Sequence, residues 1–415
     1  MMHQSFVPSS SPCHHGGDTT TVTPIPVQRR FLTPGVVVLL VLTVVGLCFA
    51  LYRFAFGLEA ATNLDQQHPW GIWIAIDVCT GVALSAGAFT TAALIHIFHR
   101  EHFHAISRPA LLTGALGYTF VGIGLLVDLG RYYNIWHPMW PTMWQGNSVL
   151  FEVGICVMCY LTVLYIEFIP VVCDRFIGDV SHPRLARYCT KTRHVVRKTM
   201  FLFIIAGVVL SCLHQSSLGN LMVIAPTKMN PLWYTPILPL LFLLSAIAVG
   251  FPMVIFESLC TSWALKRKPE LPVLSALAAF IPPLLGVYLA FKVGDLVIRE
   301  SWVHLMDGSV QSAMFIIEMV FGVVAPLIML LPARARREPR WLFIASALIV
   351  LGVVLNRINV FLVAYNPPYA VRTYYPSFSE IAVTLGMISA LILLYRLAVT
   401  HLPVLYEEDG KAGAT

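Results

Sequence analysis

Residues 68–89, HPWGIWIAIDVCTGVALSAGAF, form an apolar run of membrane-spanning length with one carboxylate, Asp77, set where lipid is expected. A carboxylate there costs roughly 3 kcal/mol or more on insertion scales, so its default reading is functional. The competing reading is an acid held neutral or paired inside a helix bundle.

The whole chain supports the membrane assignment. Its 415 residues are 57% hydrophobic and 12% charged, with a mean hydropathy of +0.76, values that exclude a soluble globular protein. A span needs about 20 apolar residues, and ten windows qualify: 34–56, 70–97, 109–131, 147–172, 200–224, 234–265, 273–298, 310–332, 341–365 and 378–402. The expected architecture is an all-α polytopic membrane protein with a membrane domain over 34–405. Residues 1–33, rich in Ser, Thr and Pro without apolar periodicity, are expected to form a disordered cytoplasmic tail. Residues 406–415 form a second, C-terminal tail. The window after Arg29 and Arg30 has the basic flank and apolar core of a signal sequence, but no small-residue cleavage site follows, so an uncleaved first span is expected.

Orientation follows from Lys and Arg. The tails and the loops after spans 2, 4, 6 and 8 hold nineteen of them, against four in the opposite loops: Arg131, Lys228, Arg299 and Arg372. Both termini are therefore expected on the cytoplasmic side of a prokaryotic inner membrane. The opposite loops, GLEAATNLDQQHPWG (57–71), GRYYNIWHPMWPTMWQGN (130–147), APTKMNPLWYTP (225–236) and NPPYAVRTYYPSFSE (366–380), are dense in Trp, Tyr, Pro and Asn. That density exceeds an interfacial aromatic belt and suggests a docking surface with a vestibule. The basic residues lie between spans and do not suggest nucleic acid.

Helix rise places the intramembrane ionisable residues in the outer half. Asp77, Asp128, Arg131, Glu152, His214, Glu318, Arg357 and Glu380 all fall there, as do Lys292 and Asp295. Lys292 with Asp295, and Asp128 with Arg131, have the i,i+3 spacing of local ion pairs. Taken together the set is the equipment of a proton relay or a polar ligand site. Glu167 and Glu257 lie toward the inner face. Glu257 fits either a cytoplasmic proton route or a snorkelling side chain, whereas Glu167 is expected to snorkel.

Cofactor chemistry is constrained by the ligands available. Of nine cysteines only Cys156 and Cys159 are closely spaced, which in an apolar helix reads as packing rather than metal ligation. A b-type haem commonly takes two facing histidines at one depth. Of fourteen, only His214 is well inside a span, and His96, His99, His102 and His104 sit at the inner level. Neither haem nor an iron–sulfur cluster is expected in this chain.

The segments PWGIWIAIDVCTGVALSAGAF (69–89), RPALLTGALGYTFVGIGLLVDLGRYYNIW (108–136), LHQSSLGNLMVIAPTKMNPLWYTPILPLLFLLSA (213–246), LNRINV (355–360) and YYPSFSEIAVTLGMISALILLYRLAV (374–399) resemble the NrfD/PsrC family of quinone-reacting membrane subunits. The similarity is greatest to its ten-helix HybB branch, which serves periplasmic nickel–iron hydrogenases, and runs from about 34 to 405. The resemblance implies two four-helix bundles, spans 2–5 and 6–9, with one extra helix at each end. It implies electron exchange between a periplasmic ferredoxin-like iron–sulfur subunit, and through it a catalytic subunit such as a nickel–iron hydrogenase, and a menaquinone or ubiquinone. On that reading the chain has no cofactor of its own and is not catalytic by itself. It also places Asn63 through Trp70, including His68, along the quinone pocket, and marks Asp77, Glu152 and His214 as suited to proton exchange.

The expected chemistry needs a flat apolar slot, hydrogen-bond donors and a proton path. Trp70, Tyr132, Trp136 and Trp144 supply walls; His68, His214, Arg131 and the neighbouring Asp128 supply polar contacts. Asp77 and Glu152 are the candidate proton donors to the reduced ring, with Glu257 on a possible inner route. Alternatives are a DsrP-type subunit of a sulfite-reduction complex, a secondary transporter, and a passive anchor. A transporter calls for matching Gly/Pro breaks in two halves; GFP at 250–252 and IPP at 281–283 have no counterparts in spans 2–5.

Overall fold

A computed structural model describes residues 22–27, 31–177 and 181–408. Ten helices are long and apolar enough to cross a membrane: α1 (Pro34–Phe56), α2 (Trp73–Ile97), α3 (His104–Asp128), α4 (Val149–Phe176), α5 (Pro183–Val223), α6 (Leu238–Ala264), α7 (Leu271–Ile298), α8 (Val310–Leu330), α9 (Pro339–Val363) and α10 (Phe378–His401). All ten windows read from hydropathy are present.

Two boundaries depart from the sequence reading. Helix α5 begins at Pro183 rather than near 200 and runs for 41 residues. Its first turns are the basic stretch RLARYCTKTRHVVRK, which hydropathy reads as loop although its Leu, Ala, Arg and Lys favour helix. Part of the N-terminal tail is also ordered. Residues Val22–Ile25 form strand β1, antiparallel to β2 (Leu405–Glu408), with Val22 opposite Glu408. The rest of the tail at 1–21 and 28–30, including Cys13, and residues 409–415 lie outside the described residues.

Helices α2 and α6 form the centre. In α2 78% of the apolar window is buried and in α6 67%, against 11% in α1. Helix α2 packs on α3, α5, α6 and α9, and α6 packs on α5, α7 and α9. Contacts between α3 and α4, α4 and α5, and α5 and α2 close one set of four helices; those between α7 and α8, α8 and α9, and α9 and α6 close another. The peripheral α1 lies along α10, where Gly46 and Gly386 meet. A Cβ on Gly46 would stand 2.7 Å from the Gly386 Cα. Close backbone approach at small residues drives such packing where lipid offers no hydrophobic gain.

Several spans leave α-helical geometry toward the ends away from the Lys/Arg-rich loops, called the outer ends and outer half from here on. Trp73–Thr80 in α2 and Asn359–Val363 in α9 are π-helical, as is Val320–Val324 near the middle of α8. A π turn adds a residue to the turn and rotates the following side chains relative to the helix face, and such turns gather at functional sites. The Thr80 hydroxyl donates to the Ala75 carbonyl at 2.9 Å, within the π turn that carries Asp77. Helix α10 starts with a full capping box, the Ser377 hydroxyl accepting from the Glu380 amide and the Glu380 carboxylate from the Ser377 amide.

Candidate functional site

The outer-half polar residues form three separate groups. The first joins the lead-in to α2 with the start of α10. Glu380 is completely buried. Its Oε2 accepts from the Asn63 amide at 3.1 Å and the Ser377 amide at 2.8 Å, and its Oε1 from the Tyr374 hydroxyl at 2.5 Å. The Tyr374 oxygen accepts in turn from the Ile72 amide at 3.1 Å, and Trp73 Nε1 donates to the Glu380 carbonyl at 3.1 Å. Burial and the adjacent Glu380 carboxylate hold the Tyr374 hydroxyl protonated far above the ordinary phenol range. The capping carboxylate of α10 thus straps residues 61–73 across the outer end of the protein.

Within that strap the exposed Asn63 donates through Nδ2 to the Tyr375 carbonyl at 2.9 Å. His68 is buried, edge-on to Tyr365 at 6.3 Å, and its Nδ1 is 3.3 Å from Asp65 Oδ1. The same Asp65 oxygen accepts from the His68 amide at 2.6 Å and the Gln67 amide at 2.8 Å. The His68 amide, ahead of the Gln67 amide, holds that carboxyl below its usual range. Trp70 is half-buried with its ring 6.5 Å from Phe361.

The second group surrounds Asp77. Thr384 of α10 donates to Asp77 Oδ2 at 2.7 Å, and Asp77 packs against Gly124 of α3. One turn beyond Gly124 is Asp128. The cation whose charge bears on it is Arg53 of α1, acting through space without a contact ion pair, and not Arg131 as the i,i+3 spacing suggests. Arg131 is exposed beyond the end of α3, whereas Arg53 is fully buried and its Nη2 donates to the Leu129 carbonyl. The Arg53 guanidinium also lies 5.0 Å from the Phe54 ring and 5.1 Å from Tyr132. Tyr132 packs edge-on to Phe54 at 4.9 Å, so it belongs to this group. Trp136 and Trp144 are exposed in the α3–α4 loop, in ring contact with His137 and Phe151, and the structure does not join them to Trp70. The loop is built of short 3₁₀ turns closed on itself, Trp144 Nε1 donating to the Pro138 carbonyl at 2.9 Å.

The third group lies inside the α6–α9 set. Glu318 accepts from Trp233 Nε1 at 2.9 Å, Asn359 Nδ2 at 2.8 Å and Asn356 Nδ2 at 2.7 Å. Arg357 donates to Asn356 Oδ1 at 2.6 Å and Ser245 Oγ at 2.8 Å, with its guanidinium 3.7 Å from the Phe242 ring centroid. A cavity of about 20 Å³ touches Glu318, Asn356, Ser245 and Tyr288, room for one water. Lys292 does not pair with Asp295. Asp295 is held bidentate by Arg299 at 2.9–3.1 Å. Lys292 is buried with its ammonium 5.1 Å from the Phe315 ring and Glu318 as its strongest anionic neighbour.

The remaining predicted residues lie elsewhere. Glu152, exposed at the start of α4, accepts from the Ser217 hydroxyl at 2.5 Å. His214 is fully buried, its ring 5.6 Å from Tyr118. Glu257 faces Thr113 and Tyr395 between α3, α6 and α10. Glu167 does not snorkel: it is buried, and a Cβ on Gly207 of α5 would stand 3.3 Å from its Oε1.

Arg53, Tyr374, Thr384, Asn356 and Asn359 join these groups without having been candidates from sequence. Arg53 and the two asparagines carry the usable signal of a polar side chain within an apolar helix. Tyr374 and Thr384 carry none, because their roles come from partners distant in sequence.

The family described as "Polysulphide reductase, NrfD" matches residues 60–367. A protein of Nitratidesulfovibrio vulgaris is 39% identical over 92% of this chain and 96% of its own length. The probable Ni/Fe-hydrogenase 2 b-type cytochrome subunit of Escherichia coli is 33% identical over 92% of this chain and 95% of its own length. The menaquinone reductase integral membrane subunit of Nitratidesulfovibrio vulgaris is 25% identical over 87% and 92%. The cytochrome name raises the question of a haem, and the histidines here do not fit one. His214 stands against Tyr118 in the outer half of α5, while His96 and His104 pack edge to face at 5.8 Å at the opposite end of α2. No buried histidine faces His214 among the described residues, as the bis-histidine ligation common for a b-haem requires.

Proposed function

The chain belongs to the NrfD family, and from that premise we propose that it is the quinone-reactive membrane subunit of a redox complex. It passes electrons between a ferredoxin-like iron–sulfur subunit, seated on the aromatic outer loops, and menaquinone or ubiquinone in the membrane. The catalytic partner behind that subunit is of the nickel–iron hydrogenase kind, in line with the name of the relative that is 33% identical. The Lys/Arg-rich loops and both termini face the cytoplasm.

The strap carries this reading. Glu380 holds Asn63 through Trp73 over the outer ends of α2, α9 and α10, so that the half-buried Trp70, backed by the buried Phe361, offers apolar ring surface beside His68. Asp77 and Thr384 lie one to two turns further in along α2 and α10. Quinone reduction takes two electrons and two protons, and it needs an acid within hydrogen-bond reach of a ring oxygen. Asp77 is placed for that role, and Arg53 with Asp128 orders the charge behind it.

The test is quinone reduction by the purified complex carrying Asp77→Asn. Asn keeps the Thr384 contact and cannot relay a proton, so quinone reduction should fall at least ~100-fold, the usual scale of positioned acid catalysis. The iron–sulfur partner should still co-purify. Full activity in that variant, with the complex intact, refutes the assignment of Asp77.

A further inference from the structure

The end of the protein that carries the Lys/Arg-rich loops holds an open cavity of about 510 Å³. It lies between the start of α7 and the short helical turn Ala333–Arg337 that joins α8 to α9. Its two walls differ in chemistry. On α7, Pro272, Ser275, Ala276 and Ala279 line it; their three- and four-residue intervals put them on one helix face, and all four are small. Pro272 and Ala279 are exposed, so this groove opens away from the helix bundle. It runs about 10 Å along α7 from the helix start.

The facing wall supplies Arg336 and Arg337. Arg336 is half-buried and pinned, its Nη1 donating to the Leu330 and Leu331 carbonyls at the end of α8, at 2.8 and 3.2 Å. Its Nε and Nη2, and the whole exposed guanidinium of Arg337, have no partner among the described residues. Arg334 and Arg340 flank the pair against one acid, Glu338. A guanidinium fork matches phosphate oxygens in a bidentate geometry. Trp263 in the last turn of α6 and Trp341 in the first turn of α9 are exposed at this same end, and such tryptophans mark the headgroup level of a membrane. The cavity therefore sits where phosphate and acyl chain meet.

We propose that this cavity binds one anionic glycerophospholipid, its phosphodiester held by Arg336 and Arg337 and an acyl chain laid along Pro272, Ser275, Ala276 and Ala279. A soluble anion would use the arginines and leave the groove unfilled. A zwitterionic lipid would fill the groove but bring its ammonium against four arginines. Basic pockets between membrane helices on the Lys/Arg-rich side select anionic headgroups for that reason. The bound lipid fastens the start of α7 to the α8–α9 turn, at the end of the protein opposite Glu380 and Asp77, so the site stands apart from the quinone reading.

The test uses the intact complex, stripped of lipid in detergent and read by native mass spectrometry after addition of phosphatidylglycerol, phosphatidylethanolamine or inorganic phosphate. Wild type should retain phosphatidylglycerol at least ~10-fold better than phosphatidylethanolamine. Arg337→Gln removes one fork, and Ala276→Phe fills the groove without changing charge; each should lower retention about 10-fold. Arg340→Gln, an equal loss of charge outside the cavity, should change it by less than about threefold. Crosslinking of a phosphatidylglycerol with a diazirine in its acyl chain, done on the wild-type complex alone, guards against misfolded variants. The label should fall on peptides covering 271–280 and 333–340. Equal retention of the two lipids, retention of inorganic phosphate in place of the lipid, or unaltered retention in both Arg337→Gln and Ala276→Phe overturns the proposal. An Arg340→Gln loss as large as that of Arg337→Gln, or labelling confined to other peptides, overturns it too.

Discussion

Replacing Glu380 by Gln tests whether its carboxylate straps the lead-in segment to α10. Oε2 accepts from the Asn63 and Ser377 amides at 3.1 and 2.8 Å, and Oε1 from the Tyr374 hydroxyl at 2.5 Å. A Gln side chain keeps one acceptor oxygen for the two amides and presents an NH₂ group to Tyr374. It therefore loses one charge-assisted bond outright and the charge behind the other two. Hydrogen bonds to charged groups contribute about 1.5–3 kcal/mol each, and 1.4 kcal/mol is tenfold in an equilibrium constant. Local opening of residues 61–73 should rise about 10- to 100-fold. Hydrogen exchange read by mass spectrometry on the peptide covering 61–73 measures this directly, with the centre of α6 as an internal reference. Quinone KM should rise more than kcat falls, because the substitution loosens the pocket wall and leaves Asp77 in place. Exchange at 61–73 equal to wild type, with Tyr374→Phe equally silent, would show that the strap is held by something other than this carboxylate.

Other outcomes follow from the same geometry. Arg53→Met removes the Nη2 donor to the Leu129 carbonyl and should destabilise the complex by about 1.5–3 kcal/mol; the double variant Arg53→Met, Asp128→Asn should recover part of that in a thermal-shift cycle, and strict additivity would deny any coupling of the two charges. Gly46→Leu inserts a side chain where a Cβ already stands 2.7 Å from the Gly386 Cα, so α1 should detach from α10 and become protease-sensitive while α2–α9 remain folded. The Asp65 turn is pH-sensitive in a defined direction: its carboxyl is held below the ordinary range of about 4 by the His68 amide first, so the turn is fully formed above that range and is lost as pH falls through the lowered value. Exchange of the Gln67 and His68 amides between pH 3 and 7 should show this, and Asp65→Asn should abolish the pH dependence.

The expectations that failed share a cause. Asp128 and Arg131 are three residues apart, yet α3 ends at Asp128 and lets Arg131 point to solvent, while Arg53 of α1 donates to the neighbouring Leu129 carbonyl and is the cation whose charge bears on Asp128. Lys292 and Asp295 are likewise neighbours in sequence, but Arg299 at i,i+4 offers Asp295 a bidentate fork, the geometry that guanidinium matches best. Local spacing names candidate pairs, and competition among all nearby cations decides them. The aromatic residues illustrate the same limit. Trp70, Tyr132, Trp136 and Trp144 look alike in the outer loops, but their neighbours place them in three different surroundings.

From its sequence alone the chain was determined to be a ten-helix membrane protein with most of its intramembrane ionisable residues expected in one half, because lipid imposes a one-dimensional rule. Twenty apolar residues make a span, and a charge within one must be explained. The basic start of α5 escapes that rule because it is too rich in Arg and Lys to read as a span. Tertiary structure alone decided which charges meet. Glu380 finds Asn63, Thr384 finds Asp77, and Tyr118, Tyr160, Ser211 and His214 converge in one buried cluster. Such contacts depend on helix rotation and on small residues that let backbones approach, as at Gly46 and Gly207. Neither hydropathy nor periodicity within one span encodes the rotation of its neighbour.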